Sequence, residues 1–169
     1  MLTLTFKPTN EEVFGYYLRP AIDGEPLCSK AVTELEIYGE DKEPWKIFDK
    51  DEKKSLWVFT NLKEKNKSRI DRTAGCGYWK ARLNKKEVKD ARGQQLGLDK
   101  YFFFTFKKDQ SNEGNGHWIM HEYSLNDEGL NDYVICKIKN KNALGSDHQD
   151  QVEPSNKKRQ TVEVSDEEM

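Results

Sequence analysis

Three groups of residues in this chain of 169 have the types and spacing to do chemistry. His117, His121 and Glu122 bring together two imidazoles and a carboxylate, the raw material of a zinc site or an acid–base pair. On a strand, 117 and 121 share a face. The helical H-E-x-x-H spacing of a zinc protease is missing, however, and no acid, base or nucleophile partner is identifiable, so neither a metal site nor catalysis is expected. Cys76 stands between Gly75 and Gly77 among Lys and Arg, surroundings that activate a thiol. A small residue in a tight turn explains it more simply. The third group runs from Ser68 through Arg82, S-R-I-D-R-T-A-G-C-G-Y-W-K-A-R, and continues into Asn84, Lys85 and Lys86.

On its residues alone, this third stretch is a basic turn, a glycine-rich bend and an aromatic–basic strand. Glycines let the backbone approach another backbone or a phosphate closely. Trp79 and Ala81 fall on one face of the strand, Lys80 and Arg82 on the other. A β element of this kind fits the DNA major groove, where Lys and Arg reach guanine acceptors. A core strand with a solvated outer face would read the same way.

Charge adds weight to the groove reading. The chain as a whole carries a net charge of −2, but residues 53–108 hold 16 Lys+Arg against 5 Asp+Glu, an excess of 11. Phosphates respond to such a local patch and not to the whole-chain balance. The flanking segments, 1–52 and 109–169, are both acidic.

The elements that must position this patch follow from periodicity. Thr9 and Glu12 form a capping box for a first helix, with Val13, Phe14, Tyr16, Tyr17 and Leu18 apolar and Arg19–Pro20 as its stop. Ala31–Tyr38 reads as a second short helix with Val32, Leu35 and Ile37 inward. Trp45 is a core anchor, as are Trp57 and Trp118. Strands are predicted over 56–60, 77–82, 101–106, 118–123 and 133–138, with gaps that favour antiparallel pairing. Residues 109–116 are a loop. The fold class is therefore α+β, mainly β: a twisted antiparallel sheet flanked by short helices. Residues 1–142 form the domain, and 143–169 form a polar, acidic tail too poor in apolar groups to order itself.

Cys28, Cys76 and Cys136 are few, odd in number and far apart, which suggests no disulfide framework. No apolar run approaches the length of a membrane span, and the first residues lack a secretory pattern, so an intracellular protein is expected. Lys157-Lys158-Arg159 offers a short basic cluster for nuclear import. No cofactor is implied.

Five ordered blocks over residues 4–141 resemble the plant NAC transcription-factor family. The Ser68–Arg82 stretch is similar to its S-R-x-N-R-x-A-G-x-G-Y-W-K-A-T-G-x-D-K signature. Phe6–Glu12 resembles F-x-P-T-D-E-E, and Glu34–Tyr38 with Pro44-Trp45 resembles E-V-D-L-Y…P-W. Trp118–Tyr123 resembles W-I-M-H-E-Y, and Asp132–Ile138 resembles D-W-V-L-C-R-I. The resemblance implies a nuclear, sequence-specific, usually dimeric regulator of transcription that binds double-stranded DNA and is not an enzyme. It places Trp79, Lys80, Ala81, Arg82 and Leu83 in the major groove. Arg69, Arg72, Lys85, Lys86, Lys107 and Lys108 would then contact mainly phosphates. Leu4, Thr5, Phe6 and Glu12 fall at the family's dimer interface.

Departures from the family pattern carry their own expectations. Arg82-Leu83 replaces Thr-Gly, and Lys85 replaces an acid, so the groove strand is bulkier and more basic. Thr5 replaces the arginine that pairs with the glutamate matching Glu12 across the dimer. Residues 109–116 replace a basic loop, and the tail is shorter than the usual activation region. A second reading therefore stands beside the first: a short interaction module that heterodimerises with longer relatives and inhibits them.

Overall fold

The computed structural model describes residues 6–27, 29–66, 69–82, 84–107, 116–125 and 133–143. The loop expected at 109–116 (Gly116 apart), the tail from 144 onward and the basic cluster at 157–159 lie outside them. Ala143, the first residue assigned to the tail, is described and is buried.

The capping box forms as read: the Thr9 N–H donates to Glu12 Oε1 (2.8 Å) and the Glu12 N–H to Thr9 Oγ1 (3.2 Å). It starts α1 (Asn10–Glu12), which passes into a π-helical stretch (Val13–Leu18) and then α2 (Arg19–Ile22). The helix does not stop at Arg19–Pro20. Widening of the turns, with the Arg19 N–H bonded to the Phe14 carbonyl, makes Arg19 and Pro20 the first turn of a new α-helical register. Proline is tolerated there because its missing N–H would have no partner.

The helix expected over 31–38 is instead a strand, β1 (Val32–Glu34), parallel to β2 (Leu56–Asn61). The apolar spacing that suggested one helical face serves two cores. Val32 packs in one cluster, while Ile37 and Leu35 pack in the other. The ladder continues one residue further, through the Leu35 N–H to the Phe59 carbonyl at 3.1 Å.

The remaining strands are β3 (Lys63–Asn66), β4 (Arg69–Asp71), β5 (Thr73–Ala74), β6 (Gly77–Ala81), β7 (Lys86–Lys89), β8 (Gln95–Phe106), β9 (Trp118–Ser124) and β10 (Tyr133–Asn140). Eight of the ten form one sheet in the order β1-β2-β10-β9-β8-β6-β5, with β7 also beside β8; β3 and β4 make a separate hairpin. All pairings but β1–β2 are antiparallel.

Strand alternation sorts the core into two layers. One face carries Val58, Trp79, Phe102, Phe104, Trp118, Met120, Cys136 and Ile138, covered by Ile37, Tyr38, Trp45 and Phe48. Trp45 belongs to α3 (Pro44–Ile47) and lies edge-on to Phe104 and stacked on Phe106. The other face carries Trp57, Phe59, Tyr123 and Ile135 beneath the first helix, whose Val13, Phe14 and Leu18 pack onto it. Trp57 and Trp118 are thus core residues, as expected.

Candidate nucleic-acid interface

Gly75 and Gly77 serve the protein's own packing. Gly75 has φ +61, and a Cβ there would collide with the Glu43 carboxylate. That carboxylate is buried, and its Oε2 accepts the Cys76 N–H at 3.1 Å. A Cβ on Gly77 would meet Phe104 and the Thr105 carbonyl. The turn is further tied by the Gly75 N–H to the Gly39 carbonyl (2.8 Å). Burial, then the Glu43 carboxylate, push the Cys76 thiol up, away from the thiolate form that a reactive cysteine needs.

The tight turn launches β6 along the edge of β8. Trp79 is 3% exposed and points into the core, while Tyr78 and Lys80 point out, as alternation requires. β5 pairs only with Gly77 and Tyr78, and the Trp79 N–H bonds the Arg72 carbonyl (3.0 Å); beyond Trp79, β6 has no strand on its outer side among the described residues. Lys80 and Ala81 therefore lie on an open, exposed edge.

β6 and β7 lie end to end along the same side of β8. The Arg82 N–H bonds the Tyr101 carbonyl (3.0 Å), and Lys86 pairs with Asp99. Four steps of chain from 82 to 86 thus face two steps from 101 to 99, and the two surplus residues push the connection outward. Arg82, Asn84, Lys85 and Lys86 are all exposed on this bulge. The Arg82 guanidinium sits 5.6 Å from the Phe103 ring centroid, which limits its wandering.

The structure brings Lys80, Ala81, Arg82, Lys85 and Lys86 to one edge. Lys107 is exposed next to the glycine turn, its N–H bonded to the Cys76 carbonyl at 3.1 Å. Arg69 is exposed on the separate β3–β4 hairpin. Leu83 and Lys108 lie outside the described residues, as do Leu4 and Thr5. Phe6 packs edge-on against Tyr17 and Trp57, and Glu12 is held in its cap.

Arg72 is elsewhere. Its Nη2 lies 2.9 Å and 3.1 Å from the two carboxylate oxygens of Glu122, and its Nε 3.3 Å from Oε2. Glu122 is fully buried and the Arg72 side chain 16% exposed. The guanidinium also stacks on Phe102, and the Tyr38 hydroxyl donates to Glu122 Oε2 at 3.4 Å. Burial pushes the Tyr38 phenol and the Cys136 thiol well up, so both stay neutral beside the pair. Arg72 and Trp79 thus face inward and fix the segment that carries the exposed edge. Sequence reading missed this ion pair, although Glu122 at an inward position of an apolar strand signals a buried carboxylate in need of a cation.

His121 and Glu122 do not converge on a common site. His121 Nδ1 lies 2.9 Å from Asp99 Oδ1, on the opposite face of β9 from Glu122. No group of three metal-ligating side chains occurs among the described residues, nor a helix long and apolar enough to cross a membrane.

Fold and site together define a mixed β-sheet protein with an open, basic edge. The family model described as No apical meristem (NAM) protein matches residues 2–125. NAC transcription factor 32 of Arabidopsis thaliana is 34% identical over 155 residues, covering 82% of this chain and 58% of that protein. NAC domain-containing protein 78 of the same plant is 32% identical over 83% of this chain and 26% of its own length. NAC domain-containing protein JA2L of Solanum lycopersicum is 33% identical over 83% and 41%. The chain belongs to the plant NAC family, and it spans less than two thirds of each of these relatives.

Proposed function

We propose that this chain is a nuclear, sequence-specific DNA-binding regulator of transcription, without enzymatic activity, that places residues 78–83 in the major groove of double-stranded DNA. The observation that carries the reading is the open β6 edge, where Lys80, Ala81 and Arg82 are exposed and no strand among the described residues covers them. The groove is about 12 Å wide and admits a β element edge-first. Lys80 and Arg82 then read base edges, while Arg69, Lys85, Lys86, Lys107 and Lys108 hold phosphates on either side. Trp79 and Arg72 act from within by fixing the strand. A relative named as a transcription factor favours the same reading.

Selection of bound sites from a random duplex pool tests it. A single enriched motif is expected. Recovery of a pool no different from the input would contradict sequence-specific binding.

A further inference from the structure

Two consecutive phenylalanines of β8 each carry an arginine, on opposite faces of the strand. The Arg72 guanidinium sits 4.5 Å from the Phe102 ring centroid, and the Arg82 guanidinium 5.6 Å from that of Phe103. The first pair is complete, because Nε and Nη2 of Arg72 close on the two oxygens of Glu122. The second has the same platform and no acceptor. Among the described residues, nothing accepts a hydrogen bond from the Arg82 guanidinium.

Register places the open pair. Lys80 pairs with Phe103, and the Arg82 N–H bonds the Tyr101 carbonyl at 3.0 Å, which sets Arg82 diagonally across from the ring. Long side chains span such a diagonal. Phe103 in turn pairs with Ile119, which is buried, so the ring stands on a packed strand. The ring is half-buried, whereas Arg82 is exposed at the end of the open edge.

A guanidinium over a ring keeps its N–H donors in its own plane, as a fork. Stacking restricts the side chain before anything binds, so less freedom is lost when the fork closes on a partner. The partner that suits a fork at a groove-entering edge is a pair of adjacent acceptors. On the major-groove side, guanine alone offers one, O6 beside N7; adenine pairs its N7 with an amino donor, cytosine shows an amino donor, and thymine sets its O4 beside a methyl group.

We propose that Phe103 is a positioning residue that holds the Arg82 fork for O6 and N7 of a guanine, so that the duplex this chain selects carries a guanine facing residue 82. Arg82 stands where the family signature has Thr, a side chain too short to form the stack. The assignment rests on the groove reading above and adds to it the base and the residue that aims the arginine.

A double-mutant cycle on the full chain tests it. The probes are the duplex selected from the random pool and the same duplex carrying 7-deazaguanine, which lacks the N7 acceptor, at each guanine in turn. For the parent, one such replacement should weaken binding about tenfold. Arg82→Ala should bind the unmodified duplex about tenfold more weakly and lose that sensitivity. Phe103→Leu should weaken binding about two- to fivefold, and Phe103→Tyr should match the parent. In the Arg82→Ala background, Phe103→Leu should add nothing. Equal losses from Phe103→Leu in both backgrounds would show that the ring only supports the sheet, and would overturn its positioning role. An Arg82→Ala variant that keeps the guanine sensitivity but has a salt slope reduced by about one would put the arginine on a phosphate and overturn the guanine assignment. If the parent selects no duplex, the groove reading and this assignment fall together; if it selects one and the cycle shows no coupling, only this assignment falls.

Discussion

Arg72 grips Glu122 across 50 residues of sequence, with Nη2 2.9 Å from Oε1 and the carboxylate fully buried. The contact joins β9 to the link between β4 and β5, three residues before the Gly75 turn that launches the exposed edge. Breaking a buried pair from one side leaves the other charge uncompensated, so Arg72→Ala should lose about 3–5 kcal/mol of unfolding free energy. Arg72→Met with Glu122→Leu removes both charges and should recover most of that. Denaturant unfolding measures both. On DNA, the double variant should keep the parental salt slope, and a slope reduced by about one would show that Arg72 contacts a phosphate after all.

The exposed cations should divide into readers and anchors. Lys80→Ala or Arg82→Ala should cost on the order of 1–3 kcal/mol of binding and flatten base preference locally. Lys107→Ala should weaken all sequences alike and reduce the salt slope by about one. Competition against duplexes altered base by base makes the distinction. Variants at 80 and 82 with undiminished preference would remove β6 from the groove.

Glu43 ties acid stability to the glycine turn. Burial raises its pKa, but its own backbone N–H, the Cys76 N–H and the Lys46 ammonium 3.5 Å away outweigh that and leave the carboxyl below its ordinary range. A carboxyl depressed in the folded state stabilises it above the unfolded value of about 4.3, and that stability is lost as pH falls through the lower folded value. Glu43→Gln should therefore flatten the acid limb of the stability curve below about pH 4. Denaturant midpoints between pH 2 and 6 check this. A parental pH response in the variant would assign acid lability to other groups.

Self-association is expected to be weak. The resemblance sets Thr5 where the family pattern has an arginine, and Glu12 turns its carboxylate to the Thr9 N–H. A two-fold interface repeats any missing bridge. Sedimentation should find the chain largely monomeric at micromolar concentration, with Thr5→Arg tightening the dimer and an arginine-bearing relative forming a mixed one. A tight homodimer of the parent would remove the case for heterodimer preference.

Much of this fold is legible from local pattern, and the rest fails for identifiable reasons. β2, β6, β9 and β10 are dense in aromatic and β-branched residues and read directly. The first half of β8 does not, because Gly97, Asp99 and Lys100 interrupt the apolar run while the backbone ladder continues through them. β7 offers one apolar residue, Val88, among Lys and Glu, and exists because β8 supplies its partner. β1 mimics a helix because its neighbours pack into two different cores. In the candidate site, alternation correctly sets Trp79 against Lys80. It cannot show that Arg72, which looks like its exposed neighbour Arg69, is claimed by a carboxylate 50 residues away.

The most direct test of the central claim is the salt dependence of duplex binding by the parent chain, followed by fluorescence anisotropy on a selected site. If roughly five phosphates are neutralised per protomer, log K against log[salt] should have a slope of about −4 to −5. A flat response, or no binding to any duplex at low salt, would contradict DNA binding through the basic edge.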